Sequence, residues 1–447
     1  MARNIRCVLF GLVAVSAMCL LLYGRRSGTL VKSVTAVSRE GVRQITQDKS
    51  NTEEELGIFS RGTNVSSEES SSCPPCNRNP TSIDPVPNGV EEQPVTGDDS
   101  VPVEDTSSSD PPGSRIVVLT SMRTGSSFIG EIFGRNDDIF YLFEPGLALL
   151  TELHSRGALF LQPMYMDMLR SLYQCNTSSL DFYLKWLSRQ PPLEVKKKVP
   201  RIFDSFCYPF KTGKTGLKCD AVPAEIFERK CQEKRHIAIK SIRIWDIGMF
   251  LSLIQDSNVK LKVIHLVRDP RGMTASRVLA MNVVENTFNK LQADSFTDEM
   301  RSYLMEFCSY SIDNKEIGYY LPKYRDNYLL LRYEDMSLDP ERVTQLIYNF
   351  TGLGAVPETI SKWIAENTQA HRPGVYSTTR VSSQVYQSWR TKLDFKTAKA
   401  IENVGRCAEM MEHFGYHPVR DESHLKNLSS PLLAPIPPPH DSYRYQP

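Results

Sequence analysis

Five short apolar runs punctuate the chain: residues 116–119 (IVVL), 139–143 (IFYLF), 237–239 (IAI), 261–267 (LKVIHLV) and 328–331 (YLLL). They are continuous rather than alternating, and rich in β-branched and aliphatic side chains. Strands buried on both faces of a parallel sheet read this way. Helix-spaced stretches separate most of them. After the first run, Phe128, Ile129, Ile132 and Phe133 fall on one face of a helix that starts near Ser126. This alternation predicts an α/β domain with a mainly parallel central sheet, whose ligands sit beyond the carboxyl ends of the strands.

Two N-terminal stretches follow neither period. Residues 7–23 are uncharged and largely apolar, with Arg3 and Arg6 before them and Arg25 and Arg26 after them. At ~17 residues the run is at the short end for a membrane span. Val15-Ser16-Ala17 offers a cleavage site, but the apolar run continues to Tyr23, so an uncleaved signal-anchor over residues 1–26 is expected. Residues 27–113 are dense in Ser, Thr, Glu, Asp and Pro and cannot bury enough apolar area to offset chain entropy. They read as an extended acidic stem. Cys73-Pro-Pro-Cys76 within it has no second pair or histidine to complete a zinc site, so a local or interchain disulfide is expected, the latter making a homodimer. A catalytic domain over 114–420 and a Pro-rich, disordered tail over 421–447 complete the expected organisation.

Composition refines this picture. The 447-residue chain is 40% hydrophobic and 23% charged, with a net charge of only +1. Because the stem is acidic, the remainder is mildly basic, which suits an anionic ligand. No nucleic-acid partner is expected. Cys175, Cys207, Cys219, Cys231, Cys308 and Cys407 form an even set that suggests disulfides of open connectivity, although Cys407, in an amphipathic stretch, also fits a free core thiol. Glycosylation sequons begin at Asn64, Asn176, Asn349 and Asn427. Together with the cysteines they place the bulk of the chain in the lumen.

The candidate chemistry gathers where strands end. After the first strand, Ser121–Ser127 turns into the helix, the geometry of a phosphate cradle. Gly125 lets the backbone approach an anion, and the helix start supplies N–H groups and a favourable dipole. Arg123 adds a bidentate cation; Thr124, Ser126 and Ser127 add hydroxyls. The Walker pattern is absent, and taken alone the segment equally fits an ordinary strand–turn–helix. A second strand ends at Val267, where Arg268 emerges, and Ser276 lies about two turns into the following helix. This pair can grip a second phosphate; the bland alternative pairs Arg268 with Asp269.

Together, R-[ST]-G-[ST]-S-F and L-V-R-D-P-R-G-x-x-x-S-R resemble the Golgi carbohydrate sulfotransferases, specifically the branch that sulfates the 6-hydroxyl of galactose, N-acetylgalactosamine or N-acetylglucosamine, as in keratan sulfate and chondroitin. The likeness extends over the 141–145, 169–175, 236–240, 331–335 and 389–390 segments. It implies a P-loop-like sulfotransferase fold, a single-pass type II Golgi membrane protein, a glycan or glycosaminoglycan acceptor, and 3′-phosphoadenosine 5′-phosphosulfate as donor, with no metal. Arg123, Thr124, Gly125, Ser126, Ser127 and Phe128 would hold the 5′-phosphosulfate. Arg268 and Ser276 would hold the 3′-phosphate, and Arg380 would close over the nucleotide. Arg123 and Glu144 would be catalytic, Glu144 as the base. Tyr333, Glu334 and Asp335 would fix a strand end.

The chain departs from this branch at Gly146-Leu147-Ala148, where many relatives carry an aromatic and a histidine. His265, inside a strand, reads as a buried, satisfied side chain. Two other classes stay open: a P-loop kinase, opposed by the missing Walker lysine, and a catalytically silent glycan-binding relative, opposed by the intact Arg123, Glu144, Arg268 and Ser276 set.

Overall fold

The computed structural model describes residues 113–153, 158–210, 216–284, 297–369 and 381–437. The expected anchor and stem, Cys73, Cys76 and Arg380 lie outside the described residues. Among the described residues, no helix is long and apolar enough to cross a membrane.

Five strands form one parallel sheet in the order β2-β5-β1-β6-β7. They are β1 (Arg115–Thr120), β2 (Ile139–Phe143), β5 (His236–Ser241), β6 (Leu261–Val267) and β7 (Tyr328–Arg332). All five correspond to the apolar runs of the sequence. Alternate residues feed two cores, which explains why the runs do not alternate with polar residues. Val117, Leu119, Phe140, Ile239 and Val263 point into one core. Ile116, Val118, Tyr141, Ala238 and Ile264 point into the other, where they meet Ile129, Ile132 and Phe133 of the helix Ser126–Arg135. Parallel strands all end at the same edge. Ser121, Glu144, Ile242, Arg268 and Tyr333 therefore leave the sheet side by side. The ladder itself runs one step past β2, with the Glu144 N–H donating to the Lys240 carbonyl at 3.1 Å.

Three disulfides pair the six cysteines of the domain: Cys175–Cys231, Cys207–Cys219 and Cys308–Cys407. Cys407 is thus bridged, not free. Cys207 and Cys219 face each other across a small antiparallel pair, β3 (Cys207–Pro209) and β4 (Leu217–Cys219), which apolar periodicity is too short to reveal. The Cys308–Cys407 bridge joins the long helix Asp298–Tyr320 to the helix Cys407–His413.

The expected disordered tail starts too early at 421. Residues up to 437 fold onto the domain: Leu425 and Leu432 are buried, and Tyr416 bridges to Leu433. Arg390, also buried, holds this segment by its carbonyl oxygens. Its Nε donates to Leu425, one terminal nitrogen to Ser430 and the other to His424 and Asn427, at 2.6–2.9 Å. The Gln387 side chain takes the fifth N–H at 3.1 Å. Proline-rich composition hid a segment whose backbone acceptors complete a buried guanidinium.

The Cys308–Cys407 bridge closes a loop with a sequence separation of 99. Replacing both cysteines by alanine should lower stability by about 2–5 kcal/mol. Urea denaturation reads this as a lower midpoint, and an unchanged midpoint would show that the bridge does not stabilise the fold.

Candidate functional site

Arg123 is the junction of the site. It sits in the loop between β1 and the helix Ser126–Arg135 with φ +70°, a left-handed conformation that costs an L-residue about 1–2 kcal/mol. Two long-range contacts hold it there. Its Nε donates to Ser276 Oγ at 3.1 Å, and its carbonyl accepts from Arg268 Nη1 at 2.9 Å. The structure thus brings Arg123, Arg268 and Ser276 together from three places in the sequence. Arg268 does not pair with Asp269. That carboxylate is taken by the fully buried Arg271, at 2.7 and 3.0 Å, and Arg271 reaches Glu402 at 2.8 Å. Arg268 instead lies over the Tyr333 ring at 4.1 Å, and its buried Nε makes no hydrogen bond. An unmet buried guanidinium donor at a strand end is what an anion would complete.

Gly125 is required twice over. Its φ is +91°, and a Cβ there would come within 2.3 Å of Tyr333 Cδ2. The same aromatic ring therefore supports both the cradle loop and Arg268. Ser126 is buried at the helix start and Ser127 is exposed. Phe128 packs against Trp363 with ring centroids 5.2 Å apart. Thr124 departs from expectation. Its side chain is fully buried and shares a hydrogen bond with the Thr120 hydroxyl, and it donates to the Ser121 carbonyl at 2.8 Å. The Thr124 hydroxyl braces the loop from inside rather than facing an anion.

Glu144 follows β2 directly and also adopts a left-handed backbone, with φ +50°. Its carboxylate is buried and accepts from Lys240 Nζ at 2.6 Å, with Arg243 at 4.0 Å from the other oxygen. Burial pushes Glu144 up, but Lys240, Arg243 and Lys197 outweigh it and hold the carboxyl below its ordinary range. Glu144 is therefore ionised throughout the physiological range. Lys240 and Lys197 also lie over the Phe143 ring, at 4.0 and 4.4 Å. Sequence reasoning missed Lys240 and Arg243. The available signal was positional: Lys240 lies near the carboxyl end of β5, on the same sheet edge where Arg268 follows β6.

Glu334 behaves oppositely. It accepts from the Asp269 N–H at 3.1 Å and the Tyr416 hydroxyl at 2.8 Å. Burial first, then the neighbouring Asp269, raises Glu334 to about 7 against the attraction of Arg268. Asp335 pairs with Arg332 at 2.7 Å, fixing the end of β7. His265 meets the Tyr328 hydroxyl at 2.7 Å, and burial lowers its pKa to about 3, so the ring is neutral and internal.

Residues 114–415 match the family model described as "Sulfotransferase domain". Carbohydrate sulfotransferase 3 of Tetronarce californica is 31% identical over 343 residues, spanning 71% of this chain and 76% of that protein. Carbohydrate sulfotransferase 1 of Danio rerio is 31% identical over 348 residues, spanning 71% and 81%. Carbohydrate sulfotransferase 6 of Homo sapiens is 28% identical over 341 residues, spanning 72% and 85%.

The Glu334 environment yields a pH prediction. Below pH 7 the neutral carboxyl leaves the Arg268 charge uncompensated; above it, ionised Glu334 competes with any bound anion. Adenosine 3′,5′-bisphosphate should gain affinity at pH 6 relative to pH 8, by roughly three- to tenfold, compared with a Glu334→Gln variant. The variant serves as reference because it removes the phosphate's own titration from the comparison. Identical pH profiles in calorimetry would sever Glu334 from the anion site.

Proposed function

From the premise that this chain belongs to the sulfotransferase-domain family and is a transferase, we propose that it moves a sulfuryl group from 3′-phosphoadenosine 5′-phosphosulfate to the 6-hydroxyl of a galactose or N-acetylhexosamine in a glycan. The junction at Arg123 carries this reading. One guanidinium at the cradle is tied to Ser276 by its side chain and to Arg268 by its backbone, so two anion-binding groups are held in fixed relation. Two phosphate-bearing ends of one donor call for that relation. The carbohydrate acceptor follows from the relatives' names and the 6-position from the sequence resemblance.

The donor, when bound, supplies the activated sulfuryl group. Arg123, Gly125, Ser126, Ser127 and Phe128 would hold its 5′ end. Arg268, with its unmet Nε, and Ser276 would hold its 3′-phosphate. As the acceptor oxygen bonds to sulfur, the bond from sulfur to the leaving phosphate oxygen breaks and charge grows on that phosphate. Arg123 is placed to stabilise it, in a loop already fixed before reaction. The acceptor hydroxyl loses its proton in the same event, and Glu144, ionised before the reaction, accepts it and becomes neutral until that proton passes to solvent. Lys240 fixes the carboxylate; its ammonium keeps Glu144 charged at a site where burial alone would neutralise it.

We assign the chain to the Golgi membrane, with the domain in the lumen and a stem whose Cys73 and Cys76 form either a local disulfide or a link between two copies. Exposed Asn176, Asn349 and Asn427, each opening a glycosylation sequon, support the lumenal address, as do the three disulfides.

Two substitutions test the chemistry. Arg123→Lys keeps the charge but loses the fork, so kcat should fall more than donor affinity. Near-wild-type values for both would remove Arg123 from the reaction. Glu144→Gln should bind donor normally yet lose about two to four orders of magnitude in kcat, the span of a lost general base. Mass spectrometry of the glycan product locates the sulfate. Loss of donor affinity or of folded protein in the Gln variant would instead make Glu144 a structural partner of Lys240.

A further inference from the structure

A cleft opens beside the cradle on the sheet face away from the helix Ser126–Arg135. Thr120 and Ser121 form its inner end, and Trp245, Tyr303, Glu306 and Tyr310 are among the side chains lining it. Trp245 meets Tyr303 and Tyr310 edge-on, with centroids 6.3 and 5.8 Å apart. The wall is fixed in advance. Asn314 donates to the Trp245 carbonyl at 2.6 Å and accepts from the Ile247 N–H at 2.8 Å. Tyr303 is tied to the cradle itself, accepting from the Met122 N–H at 3.2 Å, and Arg277 stacks on its ring at 3.8 Å.

These features belong together only if something flat-faced docks against the aromatic groups next to the cradle. Three convergent rings are more than the local core requires, since Tyr310 is 37% exposed and Trp245 is half-buried. A pyranose ring presents C–H bonds on its face, which suit the negative face of an aromatic ring, and hydroxyls on its rim. Glu306 is exposed at the cleft, and among the described residues neither it nor the Tyr310 hydroxyl has a hydrogen-bond partner, which leaves both facing such hydroxyls. A carboxylate at this position would repel a sulfated or uronic ring.

We infer that this cleft is the acceptor subsite for a neutral hexose or N-acetylhexosamine ring, with Trp245 and Tyr310 as its stacking surface and Glu306 selecting against anionic rings. The inference rests on the proposed carbohydrate sulfotransfer. It adds the location of the sugar and the charge of the ring accepted there.

The test uses the full-length protein with an N-acetyllactosamine tetrasaccharide and an unsulfated chondroitin hexasaccharide as acceptors. Trp245→Ala and Tyr310→Ala should each raise the acceptor KM about tenfold, while kcat and adenosine 3′,5′-bisphosphate affinity stay at wild-type values. Trp245→Phe keeps an aromatic face and should restore the KM. Unchanged acceptor KM in both alanine variants, or a matching loss of nucleotide affinity, overturns the subsite. A wild-type protein that sulfates neither glycan contradicts the proposed activity instead. The cleft is then judged by tryptophan fluorescence: a glycan-dependent change in wild type that disappears in Trp245→Phe supports it, and a change that persists in the variant, or none at all, overturns it.

Discussion

The junction of the site depends on an unfavourable backbone conformation being held in place. Arg123 has a side chain and a left-handed φ, an expensive combination in a loop that glycine could have filled more cheaply. The contacts to Ser276 and Arg268 oppose that cost, and they join the end of β1 to the end of β6 and the helix after it. The sheet makes this possible. Parallel neighbours deliver both strand ends to one edge in register, Thr120 beside Leu266, so the loops after them are already adjacent before any side chain contact forms. Tyr333, arriving from β7, fills the space that the missing Cβ of Gly125 leaves and supports Arg268 from beneath.

The same edge carries two buried carboxylates with opposite charge states. Glu144 and Glu334 are both almost fully enclosed, so burial alone would raise both. Lys240, Arg243 and Lys197 surround the first and override burial. The second faces Asp269, and Arg268 with the hydrogen bonds from the Asp269 N–H and the Tyr416 hydroxyl does not outweigh its burial. Environment, not residue type, therefore separates an acid held below its ordinary range from one that titrates near neutrality. The pair stands on opposite sides of β1, Glu144 beyond β5 and Glu334 beyond β6, which divides the edge into a region of fixed charge and a region of variable charge.

Much of this was legible in the chain. All five sheet strands were readable because burial on both faces leaves an unbroken apolar run, and the strand-end rule then singled out Arg123, Arg268 and Glu144. What escaped was decided by tertiary partners. Lys240 has the same local look as any strand-end cation, and only the neighbouring strand shows that it meets Glu144. Thr124 sits among hydroxyls suited to an anion in sequence, yet its own hydroxyl turns inward to Thr120, a choice set by side-chain direction. The cysteine pairing was not fixed by spacing. Proline content misread residues 421–437, because composition counts side chains whereas Arg390 binds backbone oxygens.

That last contact has a bearing on how the molecule is made. Among the described residues no carboxylate hydrogen-bonds to the buried Arg390; its donors are met chiefly by carbonyl dipoles of residues 424–430. Until that segment has left the ribosome, the guanidinium has to stay solvated, and the region around Trp389 cannot dry out. Closure of this part therefore waits for residues 424–430 to emerge, however early the central sheet assembles. A chain ended by a premature stop codon before Leu425 would lack not a dispensable tail but the counter-charge of an interior residue, and quality control would meet it as an incompletely closed core.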